Sequence, residues 1–473
     1  LRKRTVNATA ARAIAAQHKA DLLRSLRLCT AEGIMAMPLV TMSLPVNVFM
    51  TALVAKAFPL PLTTIGLISA MPFVGNFLQI FVAPILARRQ PPKVITVASA
   101  WLHLATWIAL GLFLPFVPRD NPAVAGRCFL AWFLLSSGFS AVTSVSWNAW
   151  IQEWVPSRIR GKFFGRRNAT LQISTLTFLL LAGWALARWN YAVAVFQIIV
   201  AIAGFMRVFS LRWQWQSPTR EHRPVAVPTL PFLAQLGVVR SARAFLLFVA
   251  FGAVWSFAAN CFGPFYHVFM FEQVNFSAFN VGLFATLSQL GGVLSLPAWG
   301  RLLDRYGNKA VMTVSLVLWQ AQNFLWCVLT PDNRWLLYPM WLWGGATSAG
   351  FVLGQFTLLL RLVPLEAKSL ALGLNSAVTS LFAAVAPVAG GAILAWALPR
   401  WGDALAVYHV CFLLQPVLAL AGCGLLLRLH EPRASSLSMV FGAMRNIRTL
   451  SGVLGLSFLT NYIFFRDPRR DRP

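Results

Sequence analysis

Apolar residues run along this chain in long blocks rather than in short amphipathic stripes. Six runs lie at approximately 31–56, 64–86, 94–117, 128–151, 169–187 and 191–212, and six more at 243–270, 278–299, 311–330, 335–360, 370–396 and 407–428. A helix needs about 20 apolar residues to cross a bilayer, so each run predicts one crossing. The fifth is short, and Pro387 with Gly390-Gly391 interrupts the eleventh; neighbouring helices can satisfy a backbone broken in this way. The pattern predicts an all-α membrane protein in five parts. These are a basic cytoplasmic segment 1–29, a first six-helix half 30–212, a cytoplasmic linker 213–242, a second six-helix half 243–428 and a cytoplasmic tail 429–473.

Polar breaks refine this outline. The linker carries Pro218, Pro224, Pro228 and Pro231 and predicts a short surface-lying segment. In the tail, Leu437, Val440, Phe441, Met444, Ile447, Leu450, Leu454 and Phe458 recur every three or four residues, with Arg445 and Arg448 between them. That spacing predicts an amphipathic helix lying on an anionic leaflet. Residues 1–29 lack a continuous apolar core, so no cleavable signal peptide is expected.

Composition narrows the class. Apolar residues make up 58% and charged residues 11%, against ~45–50% and ~25% in soluble domains. An ordinary soluble enzyme is excluded, and so is a disordered chain. The net charge of +27 would suggest nucleic acid on a soluble protein, but no nucleic-acid motif accompanies it. Cationic loops facing the anionic cytoplasmic leaflet of the bilayer explain it better. Of the 40 Lys and Arg, only Lys56, Arg119, Arg127, Arg188, Arg334 and Arg400 fall in the loops of one side. The rest lie with the two ends of the chain, which places both termini in the cytoplasm and the protein in a plasma membrane. The six cysteines form no C-x-x-C pair and read as small hydrophobes.

The two halves are related. Shifted by 216, residues 65–93 align without gaps on 281–309. Gly66, Leu67, Gly75, Leu78, Leu86, Arg89 and Lys93 then meet Gly282, Leu283, Gly291, Leu294, Leu302, Arg305 and Lys309. A shift of 208 carries Val155-Pro156 and Gly165 onto Val363-Pro364 and Gly373. Two related six-helix halves suggest alternating access to a cavity between them.

The loop between the eighth and ninth runs reads Gly300-Arg301-Leu302-Leu303-Asp304-Arg305-Tyr306-Gly307-Asn308-Lys309. It resembles the G-x-x-x-D-R-x-G-x-[RK] signature of the major facilitator superfamily. The resemblance implies two pseudo-symmetric six-helix bundles around a central cavity. It also implies a cytoplasmic gate network holding Asp304, Arg305 and Lys309, on a turn shaped by Gly300 and Gly307. The first-half copy is degenerate. Pro84, Arg88 and Pro91 replace the first Gly, the Asp and the second Gly, while Arg89 and Lys93 remain. Arg89 is expected to pair with Glu153, and Glu366 is the symmetric candidate for Arg305. The run Arg160-Gly161-Lys162-Phe163-Phe164-Gly165-Arg166-Arg167-Asn168 resembles loops of bacterial transporters in the same superfamily.

The same resemblance turns spans 1, 4, 7 and 10, and parts of 2, 5, 8 and 11, toward the cavity. The candidate lining is then Asn47, Asn76, Ser140, Ser144, Trp147, Asn148, Trp255, Asn260, Tyr266, Gln289, Gln355 and Asn375. Amides and hydroxyls suit neutral polar or amphipathic solutes, and Trp147 and Trp255 offer stacking faces; helix–helix hydrogen bonding is the alternative for each. His103 is the candidate proton site. Glu32 is expected near the interface, with Glu153 and Arg207 toward cytoplasmic ends and no carboxylate at mid-membrane. Neither a phosphate-binding G-x-x-x-x-G-K-[ST] nor H-E-x-x-H nor G-x-S-x-G occurs, so no enzyme, metal or cofactor is expected. The Gly-Pro motif of drug–proton antiporters is missing from the fifth span, which lowers that reading. The expected function is secondary transport of a small organic solute, with a coupling ion left open. A non-transporting membrane scaffold of the same fold is the alternative.

Overall fold

The computed structural model describes residues 2–44, 46–87, 89–218, 230–429 and 437–444, with 449 and 453. Among them there is no strand. The first half holds α1 (Arg2–Met42), α2 (Val48–Ala52), α3 (Leu62–Ala87), α4 (Pro92–Phe113), α5 (Pro122–Trp154), α6 (Ser157–Arg188) and α7 (Val193–Gln216). The linker carries α8 (Phe232–Ser241). The second half holds α9 (Arg243–Cys261), α10 (Gly263–Glu272), α11 (Ala278–Tyr306), α12 (Asn308–Asn323), α13 (Leu337–Leu362), α14 (Lys368–Trp401) and α15 (Ala404–Arg428), and α16 (Leu437–Met444) follows.

Among the described residues, ten helical stretches are long and apolar enough to cross a membrane. The helices α1 and α13 take the first and tenth places. The apolar part of α1 is cut short at Met42, and α13 is diluted by Gly344, Gly345, Gly350 and Gly354. The basic N-terminal segment is not separate from the first span, because α1 is one continuous helix from Arg2. The first span is itself broken: α1 stops at Met42, α2 starts at Val48, and a π-helical turn, Leu53–Ala57, follows.

The two halves are wired alike. In the first, α1 packs on α6 and α7, α5 on α3 and α4, and α4 on α7. In the second, α9 packs on α14 and α15, α13 on α11 and α12, and α12 on α15. The seventh span repeats the break of the first, α9 ending at Cys261 and α10 opening at Gly263-Pro264. Proline at the first turn lacks an N–H that would have no partner there anyway. The helix ends at the two breaks lie 219 residues apart and the helix starts 215, close to the 216 offset of the sequence repeat.

Two helix seams join the halves, α3 to α14 and α6 to α11. Both are built by glycine. A Cβ on Gly66 would collide with the carbonyl of Pro387, and one on Gly391 would lie 2.6 Å from that of Leu62. In the other seam a Cβ on Gly282 would lie 3.1 Å from the Leu179 carbonyl, and one on Gly183 2.6 Å from that of Ala278. Gly66 and Gly282 are related by the 216 shift, and Leu179 with Pro387 and Gly183 with Gly391 by the 208 shift. Small residues let helix backbones close in a membrane, where no hydrophobic force drives them together.

The described part of the tail lies on protein. Val440 of α16 is buried in a cluster with Leu302, Leu303, Tyr306, Val311 and Val314. Most of the predicted tail helix, Arg445 and Arg448 included, lies outside the described residues. In the linker, Val239 of α8 is buried against Val363 and Ala367, while Phe232 and Leu233 are exposed.

Candidate functional site

The break between α9 and α10 opens onto a cavity of about 260 Å³. Its wall carries Trp255, Tyr266, Trp319, Gln322, Trp326 and Trp341 from the second half and Val46 from the break in the first span. The Tyr266 ring is held between Trp326 and Phe412, with centroids 4.4 and 4.3 Å away. Gln322, Asn323 and Gln415 of the wall form an amide network with Gln320. Gln322 Nε2 donates to Asn323 Oδ1 (2.9 Å), and Asn323 Nδ2 donates to Gln320 Oε1 and Gln415 Oε1, both at 3.1 Å. This network fixes the Gln322 amide and leaves its Oε1 free. That oxygen, the Tyr266 hydroxyl and Trp341 Nε1 are buried without a hydrogen-bond partner. An unmade buried hydrogen bond costs about 1–3 kcal/mol. All three residues line the cavity, and each of these buried atoms keeps an unused valence. No Asp, Glu, Lys or Arg lines the cavity.

Next to this cavity the halves are pinned together. Thr51 Oγ1 lies 3.3 Å from His267 Nδ1, and Lys56 Nζ donates to the Phe271 carbonyl at 3.2 Å. The loop after α6 carries Asn190 and Tyr191 at φ 47° and 56°. That turn brings the Tyr191 hydroxyl to accept from the Ala278 N–H, the first residue of α11, at 3.2 Å. Burial raises the Tyr191 pKa, and this accepted bond opposes the rise, so the phenol stays protonated. All three contacts lie at the end of the molecule where α3 and α11 begin.

At the opposite end stands the signature loop. Gly307 has φ 88° and forms the joint between α11 and α12, the turn role expected of it. Gly300 meets nothing within 4 Å of a Cβ, so it supports no close helix approach here. The lysines act within their own halves. Lys309 Nζ donates to the carbonyls of Leu427 (2.9 Å) and Leu429 (2.7 Å) at the end of α15, and Lys93 Nζ donates to that of Ser217 (2.8 Å) at the end of α7. Each cation satisfies orphan carbonyls at a helix C-terminus, where the dipole favours positive charge. Asp304, Arg305, Arg89 and Glu366 are exposed. Arg305 lies over the Tyr306 ring, and no ion pair joins it to Glu366 among the described residues. The Glu153 side chain, and with it the expected pair to Arg89, lies outside the described residues.

The expected cavity residues divide. Trp255 and Tyr266 line the pocket. Asn47 is consumed by the break in the first span, donating to the carbonyls of Met42 (3.1 Å) and Leu44 (2.7 Å) and accepting from the Met50 N–H (2.9 Å). Asn260 donates to Ser256 O, and Asn148 to Ser144 O, each one turn back on its own helix. Ser144, Asn148 and Gln289 are exposed; Asn76, Ser140, Gln355 and Asn375 are half-buried. Trp147 stacks on the Arg167 guanidinium, 4.6 Å from its ring centroid. His103 Nε2 accepts from Trp107 Nε1 at 3.1 Å and lies 3.0 Å from Ser43 Oγ, joining span three to the break in span one.

Two features escaped the sequence reading. The first is the run Gln320-Ala321-Gln322-Asn323, legible in the ninth span but assigned to a helix not expected to face the cavity. The second is a charge cluster. Glu32 is 3% exposed, paired with Arg167 (3.4 Å) and Arg207 (3.6 Å) and accepting from Gln214 Nε2 (2.7 Å). Three residues from three helices make it, and no spacing within one segment could reveal it.

The family model for the Major Facilitator Superfamily matches residues 34–260 and again 256–468, one copy per half. The chain belongs to the major facilitator superfamily. Solved structures agree on the fold. The nucleoside transporter NupG, in a mutant form, superposes with TM-score 0.66 at 13% identity, covering 86% of this chain and 100% of that one. A bacterial homologue of the human lysosomal transporter Spinster, inward-facing and unoccupied, gives 0.64 at 14%, covering 86% and 96%. A D-xylose–proton symporter gives 0.62 at 14%, covering 89% and 98%. No individually curated protein matches the sequence. Family and neighbours place this superfamily member among multi-pass membrane transporters and not among enzymes.

Proposed function

We propose that this superfamily member is a secondary transporter for a small, uncharged, polar organic solute, held against the second half at the α9–α10 break. One observation carries the reading. The Tyr266 hydroxyl, Gln322 Oε1 and Trp341 Nε1 are buried without partners around a tryptophan-rich cavity. A volume of about 260 Å³ is below the ~300–1,000 Å³ of drug-sized sites, which favours a compact solute. The absence of charge on the wall favours a neutral one, and the indole faces suit a ring with apolar edges.

The halves are closed where Thr51 meets His267, and we assign that end to the outside of a plasma membrane, with both termini in the cytoplasm. The state is then inward-open, and transport consists of rocking the halves about the two glycine seams. His103, tied to Trp107 and Ser43, braces the first span, and any coupling ion acts elsewhere.

The test is a thermal-shift screen of detergent-purified protein against neutral sugars, polyols and nucleosides, with organic acids and lipophilic cations as controls. A ligand that binds the native state raises the melting temperature by mass action. A neutral class is expected to shift the wild type and to lose that shift in Gln322→Ala combined with Trp341→Phe. A shift from charged classes alone, or one that survives the double substitution, overturns the assignment. No shift from any class favours the scaffold reading.

A further inference from the structure

A hollow larger than the solute pocket lies on the flank of the first half. It is an apolar groove of about 930 Å³ between α6 and α7, floored by Ile34 and Pro38 of α1. Its length follows from its lining. From Thr170 to Trp189 on the α6 side is about 28 Å at 1.5 Å per residue, close to the ~30 Å hydrocarbon thickness of a bilayer. Ile173, Leu181, Ile198 and Ile202 line it and stay more than half exposed, which only a lipid solvent tolerates. Its other wall, α7, packs on α1 and α4 of its own half, so the groove opens sideways and not onto the solute cavity.

One end of the groove is basic. Ile34 and Thr170 are shared with a second hollow of about 510 Å³ whose wall carries Arg27, Arg166 and Arg167. Arg27 borders a further hollow with Arg24 and Trp213. Arg24, Arg27 and Arg166 are exposed. Asp21 stands one turn from Arg24 on α1, yet no ion pair joins them among the described residues. The buried charge behind this end has the same sign. Glu32 is shared by Arg167 and Arg207, which leaves that trio at net +1, with Arg207 Nε unpartnered. An apolar slot that ends in an uncompensated cluster of guanidiniums has the polarity of an anionic phospholipid.

We propose that the α6–α7 groove is a binding site for one anionic phospholipid, its acyl chains along Ile173, Ile198 and Ile202 and its phosphate between Arg27 and Arg166. The lipid staples α1 to α6 on the flank of the first half. Arg166 reaches the headgroup level while its stem lies along the apolar wall.

The test is native mass spectrometry of the full chain with phosphatidylglycerol and phosphatidylcholine of identical tails, alongside melting curves with inorganic phosphate. The wild type is expected to retain phosphatidylglycerol preferentially. Arg27→Gln and Arg166→Gln should each reduce that preference roughly fivefold, and together about thirtyfold, from the usual worth of a basic residue at an anionic surface. Ile198→Trp, which fills the groove, should reduce retention of both lipids. These changes lie on exposed positions, and an unchanged melting temperature in lipid-free detergent separates lost binding from lost folding. Equal retention of the two lipids by the wild type overturns the proposal. So does a double variant that keeps its preference, or stabilisation by inorganic phosphate equal to that by phosphatidylglycerol.

Discussion

The two halves share one wiring plan and use their buried polar groups in different ways. In the first half the groups around Glu32 serve each other, although Arg207 Nε and Gln214 Oε1 keep no partner there. Glu32 is tied to Arg167, Arg207, Ser210 and Gln214, Asn47 closes the break in the first span, and His103 is bound to Trp107. In the second half Tyr266, Gln322 and Trp341 keep free valences around a cavity. The helix packing is repeated between the halves while the buried polar groups are not; on the proposed reading one half serves as a brace and the other as a receptor. The contrast explains why a polar residue within a span is a poor pointer to the solute on its own. The informative property is the missing partner, and only the assembled structure shows it.

The sharpest way to break this contrast is to remove the carboxylate of the brace. Glu32→Ala leaves two buried guanidiniums without a counter-charge, and such a loss costs about 3–5 kcal/mol. A steep fall in the unfolding midpoint of detergent-purified protein is expected. If the midpoint stays unchanged, the first half is not held this way.

The receptor side should respond in the opposite sense. Trp341→Phe removes one donor that has no protein partner, so stability should move by less than about 0.5 kcal/mol. Solute affinity should fall about tenfold, the worth of one hydrogen bond made only to the ligand. Isothermal titration with the best ligand from the solute screen reads both the loss and its size.

The seams offer a subtler comparison. A Cβ at Gly66 would collide with the Pro387 carbonyl, whereas one at Gly282 meets that of Leu179 at 3.1 Å and needs only a slight shift. Overpacking costs about 1–3 kcal/mol. Gly66→Ala should therefore populate the state open at this end more than Gly282→Ala does, read as spin-label distances between the Tyr191 and Ala278 loops. Equal responses would mean that the seams are interchangeable. The smallest effect is expected from Tyr191→Phe, which deletes one acceptor for the α11 N-terminus. It should weaken closure by about 0.5–1.5 kcal/mol in the same measurement.

Much of the fold was legible from the residues. Apolar run length gave the helices, and the repeat offsets of 216 and 208 turned out to be the offsets of the seam contacts, because Gly66, Gly183, Gly282 and Gly391 sit where backbones touch. The site was far less legible. Tyr266 and Trp255 were found because their span was expected to face a cavity. Gln322 was passed over because the ninth span was not expected to face the cavity, and Trp341, on the tenth, because an apolar run does not show which indole meets a cavity and which meets lipid. Lys93 and Lys309 carry the reverse lesson. Lys309 was expected in a gate network by resemblance, and it and Lys93 donate to carbonyls at the ends of α15 and α7 in their own halves.

The contact between Thr51 and His267 spans 216 residues, so each stands where the repeat would place the other. Two equivalent positions can touch only on the pseudo-twofold axis itself. A contact on that axis closes the end symmetrically, and rocking about the glycine seams has to part it. The axis is also where an unmodified duplicate would have faced its own likeness, hydroxyl to hydroxyl or imidazole to imidazole. With threonine on one side and histidine on the other, the axis acquires a polarity that the architecture lacks.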